Sequence, residues 1–194
     1  EVSIDLGEQG LVNLDTHIYV FSPNGELIEL PSNATVLDFA YYIHTDLGHQ
    51  FRGAKVNNKM IPISHVLRTG DSVEVFRNKS SKPSRDWLDA SNKAVNTNRA
   101  RSKVAAYFRK EDYEHNVING KKKLIEALSN NEVKKIDFSK IAPKFNLNTE
   151  SDLFAAISTG NLKLHRLINY LKQEDLGSSV DDKPFDYLKG LVAQ

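Results

Sequence analysis

The 194-residue chain contains no cysteine. Disulfides and thiolate metal sites are therefore excluded, and a reducing, cytoplasmic location is permitted. No apolar run reaches the roughly 20 residues of a membrane helix, and no signal-peptide pattern opens the sequence. Methionine occurs once, at Met60, while the first residue is Glu1. The sequence therefore reads as a piece of a longer polypeptide.

Catalytic patterns are scarce as well. The six histidines fall at positions 17, 44, 49, 65, 115 and 165. None forms an i, i+4 pair around an acid, so no helix-borne metal site is predicted. There is no His-Asp pair and no serine in a glycine-flanked elbow. Gly120-Lys121-Lys122-Lys123 lacks the leading glycine of a phosphate loop and reads as a basic helix start. No catalytic residue, metal or cofactor is assigned, which favours a binding surface over a reaction centre.

Charge is present but unevenly laid out. The net charge is only +1, yet residues 77–110 hold ten bases against two acids. Residues 1–15 carry four acids and no Lys or Arg. The basic block is either an electrostatic footprint for a polyanion or a solvated helix surface, and charge alone leaves both open.

The pattern along the chain is α+β. His17–Phe21 is β-rich, Ser22-Pro23-Asn24-Gly25 is a turn, and Glu26–Leu30 alternates as a return strand. Thr35 and Asp38 imitate a capping box. A helix then places Val36, Phe39, Ala40, Ile43 and Leu47 on one face, with Gly48 as its left-handed C′ stop. Strands follow at Ala54–Val56, Lys59–Ile61 and Ser72–Phe76. This order predicts a ubiquitin-like β-grasp, a small mixed sheet covering one helix. A unit of about sixty residues buries a modest core and leans on its neighbours.

After a polar stretch the period becomes helical. Helices are predicted over Arg85–Lys93, Asn98–Asp112, from a break at Asn119-Gly120 to about Leu128, over Ser151–Ser158 and over Leu162–Leu171. Ala100, Val104, Tyr107 and Phe108 form the inner face of the strongest one. The predicted divisions are a tail or the end of a preceding domain (1–15), the β-grasp domain (16–77), a linker (78–84), an all-helical domain (85–173) and a flexible exit (174–194).

Two groups of residues are candidates for binding. His44 lies at the edge of the apolar helix face at 100° per residue. The plain reading is a half-buried boundary histidine that bridges nearby backbone. The functional reading is a flat ring and a donor for a stacked base or sugar hydroxyl, with His49, Gln50 and Arg52 adding contacts. Each of those three is also an ordinary loop residue. Arg99, Lys103 and Lys110 share one stripe, with Arg101 on the other side of the apolar face. Such a stripe tracks a phosphate backbone or only solubilises the helix.

Several of these residues carry a family resemblance. The runs Ile18-Tyr19-Val20-Phe21-Ser22-Pro23-Asn24-Gly25, Asp38-Phe39-Ala40-Tyr41, Ile43-His44-Thr45-Asp46-Leu47-Gly48-His49, Gly53-Ala54-Lys55-Val56 and Leu67-Arg68-Thr69-Gly70-Asp71 resemble a TGS domain. Pro83-Ser84-Arg85-Asp86-Trp87-Leu88 and Arg99-Ala100-Arg101-Ser102-Lys103-Val104 resemble the segment after TGS in long RelA/SpoT stringent-response factors. Phe145 to Leu171 is similar to their helical domain, and Asn96-Thr97-Asn98-Arg99 resembles the RelA branch. The resemblance spans roughly residues 16–173.

It implies a regulatory, non-catalytic segment of a cytoplasmic, ribosome-associated GTP pyrophosphokinase, a (p)ppGpp synthetase with or without hydrolase activity. The expected partners are deacylated tRNA and ribosomal RNA. The CCA end would meet His44, His49, Gln50, Arg52 and Lys55, and the RNA backbone would meet Arg99, Arg101, Lys103 and Lys110. The alternative is a protein-interaction module that binds acyl carrier protein, as in SpoT-like factors, or restrains the synthetase and hydrolase domains of its own chain.

Overall fold

The computed structural model describes residues 16–178, which fall into two compact units divided between Lys110 and Glu111. The tail expected over residues 1–15 and the exit expected after residue 178 lie outside the described residues.

The first unit starts with an antiparallel hairpin of β1 (His17–Phe21) and β2 (Leu27–Pro31). Its register sets Val20 opposite Ile28 and Ile18 opposite Leu30. Val20, Ile28 and Leu30 are buried, so alternation sends one face of the hairpin into the core. β3 (Phe51–Val56) pairs antiparallel with β4 (Lys59–Ile61) and β5 (Val73–Arg77). A parallel bridge from Phe21 to Ser72 joins the hairpin to β5, giving the order β2-β1-β5-β3-β4. This is the expected β-grasp.

The helix packed against this sheet is α1 (Val36–Ile43), and it is shorter than the sequence predicts. The capping box is present: Asp38 N–H donates to Thr35 Oγ1, and Thr35 N–H donates to Asp38 Oδ2. The chain then leaves the helix at His44, which is extended with φ −158° and ψ 141°. A second helix, α2, runs from Thr45 to His49. Gly48 is thus inside a helix and is not a left-handed stop. It is glycine because the ring of the buried Tyr41 lies against its Cα, where a Cβ would collide. The break removes Ile43 from the inner face and leaves it 45% exposed. Tyr41, which the unbroken periodicity passed over, is only 1% exposed.

The core of this unit does not end with β5. Ala94, Val95, Ala100, Val104 and Phe108 are buried in the same cluster as Val20, Leu37 and Val73. The structure therefore places residues 85–110 with the β-grasp and not in one helical domain with the rest of 85–173. In place of the short helix predicted over Arg85–Lys93 there are two 3₁₀ turns, Arg85–Leu88 and Ala90–Asn92. The Asp89 side chain accepts from Ser91 N–H at 2.9 Å and restarts the chain between them.

Asp38 ties the two parts together. It is 2% exposed, yet its carboxylate is fully occupied. Oδ2 accepts from Thr35 N–H and Asn96 N–H, both at 2.9 Å. Oδ1 accepts from Thr97 N–H at 3.1 Å and Thr97 Oγ1–H at 2.8 Å. The single hydroxyl proton of Thr35 goes to the Ala94 carbonyl, 2.6 Å away, rather than to Asp38 Oδ2 at 3.1 Å. Thr97 Oγ1 also accepts from Ala100 N–H, which caps the start of α3 (Asn98–Leu128).

In the second unit, α3 continues without the break predicted at Asn119-Gly120. Gly120 is a site of close packing: a Cβ there would run into the Phe154 carbonyl. The helix ends at Ser129, whose φ is 77°. The short helices α4 (Asn130–Val133) and α5 (Phe138–Ile141) lead to α6 (Glu150–Thr159) and α7 (Leu164–Ser178). Leu124, Leu128, Phe138, Leu153, Phe154 and Leu167 form the core. α7 runs past Leu171 to Ser178, so residues 174–178 are helical and not part of a flexible exit. Leu171 packs against the core, and good helix formers such as Lys172 and Gln173 follow it.

Asp38→Asn keeps the shape but turns one acceptor oxygen into a donor facing two donors. We expect a loss of about 3 kcal/mol or more, the cost of leaving such buried groups unsatisfied. Denaturant melts of the 194-residue chain check this. An unchanged midpoint would remove Asp38 as the tie.

Candidate functional site

The break between α1 and α2 makes an elbow with His44 at its corner. The ring Nδ1 accepts from Asp46 N–H at 3.1 Å and so caps α2. A neutral ring that accepts at Nδ1 carries its proton on Nε2. The His44 side chain is 68% exposed. It is more exposed than the half-buried boundary histidine that periodicity suggests, while the backbone contact of that plain reading is present as the cap on α2. Tyr42 and Ile43 beside it are exposed at 37% and 45%.

His49 is placed very differently. Its ring packs 5.4 Å from Tyr41 and 4.9 Å from Tyr107, and Nδ1 lies 3.0 Å from the Tyr41 hydroxyl. Burial, helped by the charge of Lys103, holds the His49 pKa below its ordinary value, against an opposing pull from Asp46. Burial likewise pushes the Tyr41 phenol upward. Both shifts favour the neutral forms, and the His49 tautomer sets which of the two groups donates. Gln50 is half-buried, and its carbonyl accepts from Asn78 N–H at 2.9 Å. Arg52 and Lys55 lie on β3, Arg52 exposed and Lys55 with its ammonium 5.3 Å over the Phe76 ring.

The first turns of α3 lie against this elbow. The Arg99 guanidinium sits 4.9 Å over the Tyr42 ring, a cation–π contact that periodicity does not reveal. Lys103 is exposed, and its charge reaches His49. Lys110 is exposed farther along the same helix. Arg101 faces elsewhere: its guanidinium donates to the Leu88 carbonyl at 2.9 Å and the Val95 carbonyl at 3.1 Å. It clamps the 3₁₀ segment, while Arg99 lies over Tyr42 and Lys103 near His49. Among the described residues no cluster of three or more His, Asp or Glu is arranged to hold a metal ion. No helix among them is long and apolar enough to cross a membrane.

Two family models match the chain. Residues 18–77 match the TGS domain, and residues 107–172 match the RelA/SpoT AH domain. A GTP pyrophosphokinase of Escherichia coli K12 is 36% identical over 178 residues, which is 91% of this chain and 24% of the relative. A GTP pyrophosphokinase of Photobacterium angustum is 42% identical over 158 residues, covering 81% of this chain and 21% of the relative. A probable guanosine-3′,5′-bis(diphosphate) 3′-pyrophosphohydrolase of Synechocystis is 33% identical over 172 residues, covering 84% and 22%. The chain spans about a quarter of the length of the curated relatives it matches.

The low pKa of His49 sets a pH dependence. Unfolding returns it to its ordinary 6.5, so the unfolded chain binds more protons in acid. Its stabilising effect is complete above about pH 6.5 and is lost as the pH falls through the folded-state value. The melting temperature should drop as the pH falls below about 7.5 and through the folded-state value, and His49→Gln should flatten that drop. Equal slopes for parent and variant would contradict the packing of a neutral ring.

Proposed function

Because the chain carries a TGS domain followed by a RelA/SpoT AH domain and thus belongs to the RelA/SpoT family, we propose that it is the regulatory part of a (p)ppGpp synthetase whose TGS domain senses the free CCA end of tRNA on the ribosome. The observation that carries this reading is the elbow at His44. A ring fixed at Nδ1 by Asp46 N–H offers Nε2–H as an oriented donor, and the side chain is largely open to solvent. A terminal ribose hydroxyl is a matching acceptor. Tyr42 with Arg99 over its ring, and the exposed Lys103, supply stacking area and positive charge for the adjoining nucleotides.

The elbow also supports discrimination. An amino acid esterified to the terminal hydroxyl adds bulk and a charged amine where the ring must approach. A polar group left unpaired at such close range is costly, so rejection requires no separate gate. The signal then passes to catalytic domains elsewhere in the longer polypeptide. The names of the matched relatives, GTP pyrophosphokinase and pyrophosphohydrolase, support that assignment of the whole protein.

Two measurements test the reading. On ribosomes carrying A-site tRNA, the parent should prefer deacylated over aminoacylated tRNA, and His44→Glu should abolish the preference. Unchanged discrimination would sink it. Separately, Arg99→Ala, Lys103→Ala and Lys110→Ala together should weaken RNA binding. The slope of log affinity against log salt should fall by about one for each phosphate no longer neutralised. A slope identical to the parent would reduce the stripe to a solubilising face.

A further inference from the structure

A second site lies at the far end of β3 from the elbow. The five rises from Phe51 to Val56, at about 3.3 Å each, place its edge roughly 17 Å from the start of that strand. There the end of β3, the turn into β4 and the connection to β5 enclose an open groove of about 550 Å³. That volume lies within the range of small-molecule sites.

The polar inventory of this groove is lopsided. Its one acid, Asp71, is already committed: Oδ1 accepts from Asn57 Nδ2 at 2.9 Å and Oδ2 accepts from Arg68 N–H at 2.8 Å. Asn57 Oδ1 accepts from Ser72 N–H at 2.9 Å, so the amide is fixed too. Among the described residues no ion pair engages Lys59 or Arg68, both exposed, and the half-buried ring of His65 has no hydrogen-bond partner. Two cations and the His65 ring therefore line one groove against the single carboxylate of Asp71, an excess of positive charge. Between them lies apolar surface from Val56, Ile61 and Val66, the last 40% exposed.

The walls are rigid. Val36 N–H donates to the His65 carbonyl, Leu67 N–H donates to the Ala34 carbonyl, and Thr35 bridges Val66. The segment that carries His65 and leads into Arg68 is thus tied to the start of α1, and Lys59 is held by the pairing of β4 with β3. Cationic donors beside apolar side chains match a ligand with clustered negative charge joined to an apolar body. The geometry points to a nucleotide-binding site, with Lys59, Arg68 and His65 on the phosphates and the Val56, Ile61 and Val66 wall against ribose and base. The nucleotide is either free or one unit of an RNA strand, since the shared chemistry is a nucleoside phosphate. This site is independent of the reading of His44.

The test is a ¹⁵N–¹H NMR titration of the whole 194-residue chain with GTP, guanosine, inorganic phosphate, polyglutamate and a single-stranded ribo-oligonucleotide. GTP should shift the amides of residues 56–61 and 65–72 with a Kd below about 1 mM. Lys59→Ala and Arg68→Ala should each weaken it about tenfold, the effect of losing one charge-assisted hydrogen bond. His44→Glu should leave it unchanged. Tighter binding of the oligonucleotide at the same amides supports the site and assigns its source as RNA; tighter GTP binding assigns a free nucleotide. The proposal is overturned if these amides do not move, if guanosine, phosphate or polyglutamate matches GTP there, or if the two variants bind as the parent does. Both variants alter exposed side chains, and their own spectra report whether they fold.

Discussion

The buried carboxylate of Asp38 is the constraint on which the first unit depends. Alone, a buried charge of this kind would be strongly unfavourable, because its hydration is lost. Here each oxygen accepts two hydrogen bonds, one pair divided between Thr35 and Asn96 and the other supplied by Thr97. Those donors come from the start of α1 and from the residues that precede α3. The same carboxylate therefore caps one helix and seats the beginning of another. Without that seat, Ala94, Val95, Ala100 and Val104 would lose their fixed approach to the core they share with the sheet. The basic residues of α3 would also lose their position beside the elbow.

The elbow is the second consequence of a local competition. An unbroken helix through residues 36–48 would satisfy the backbone, but two side chains favour a break. His44 offers its own ring as an N-cap for Asp46, and Tyr41 needs the space over Gly48 to bury its ring and reach His49. The result is an exposed histidine whose orientation is set by its neighbour's amide. Fixed orientation is what separates a recognition group from a surface side chain, since less rotamer freedom is lost on binding.

Much of this was legible in the sequence. The hairpin, the capping box at Thr35 and Asp38, and the final strand follow from alternation and turn chemistry. His44 stood out by its place in the helix. What remained hidden depends on distance in space. Periodicity treats a glycine in a helical run as a stop, so it marks Gly48 and Gly120 as breaks when both are sites of close packing. It sets Arg101 on the other flank of the apolar face from Arg99 and treats it as surface, although its guanidinium is spent on the Leu88 and Val95 carbonyls. No local pattern says that Asp38 reaches Thr97, or that His49 is enclosed between two tyrosines.

The central claim is that His44 is a preoriented donor at Nε2 for an unesterified ribose. The most direct measurement is the ¹⁵N shift of its two ring nitrogens in the free chain and with a CCA-ended RNA helix. The account predicts the Nε2–H tautomer in the free chain near neutral pH. It also predicts a shift of Nε2, with Nδ1 unchanged, on adding the deacylated RNA but not the 3′-aminoacylated one. A mixed or Nδ1–H tautomer, or equal responses to both RNAs, would contradict it.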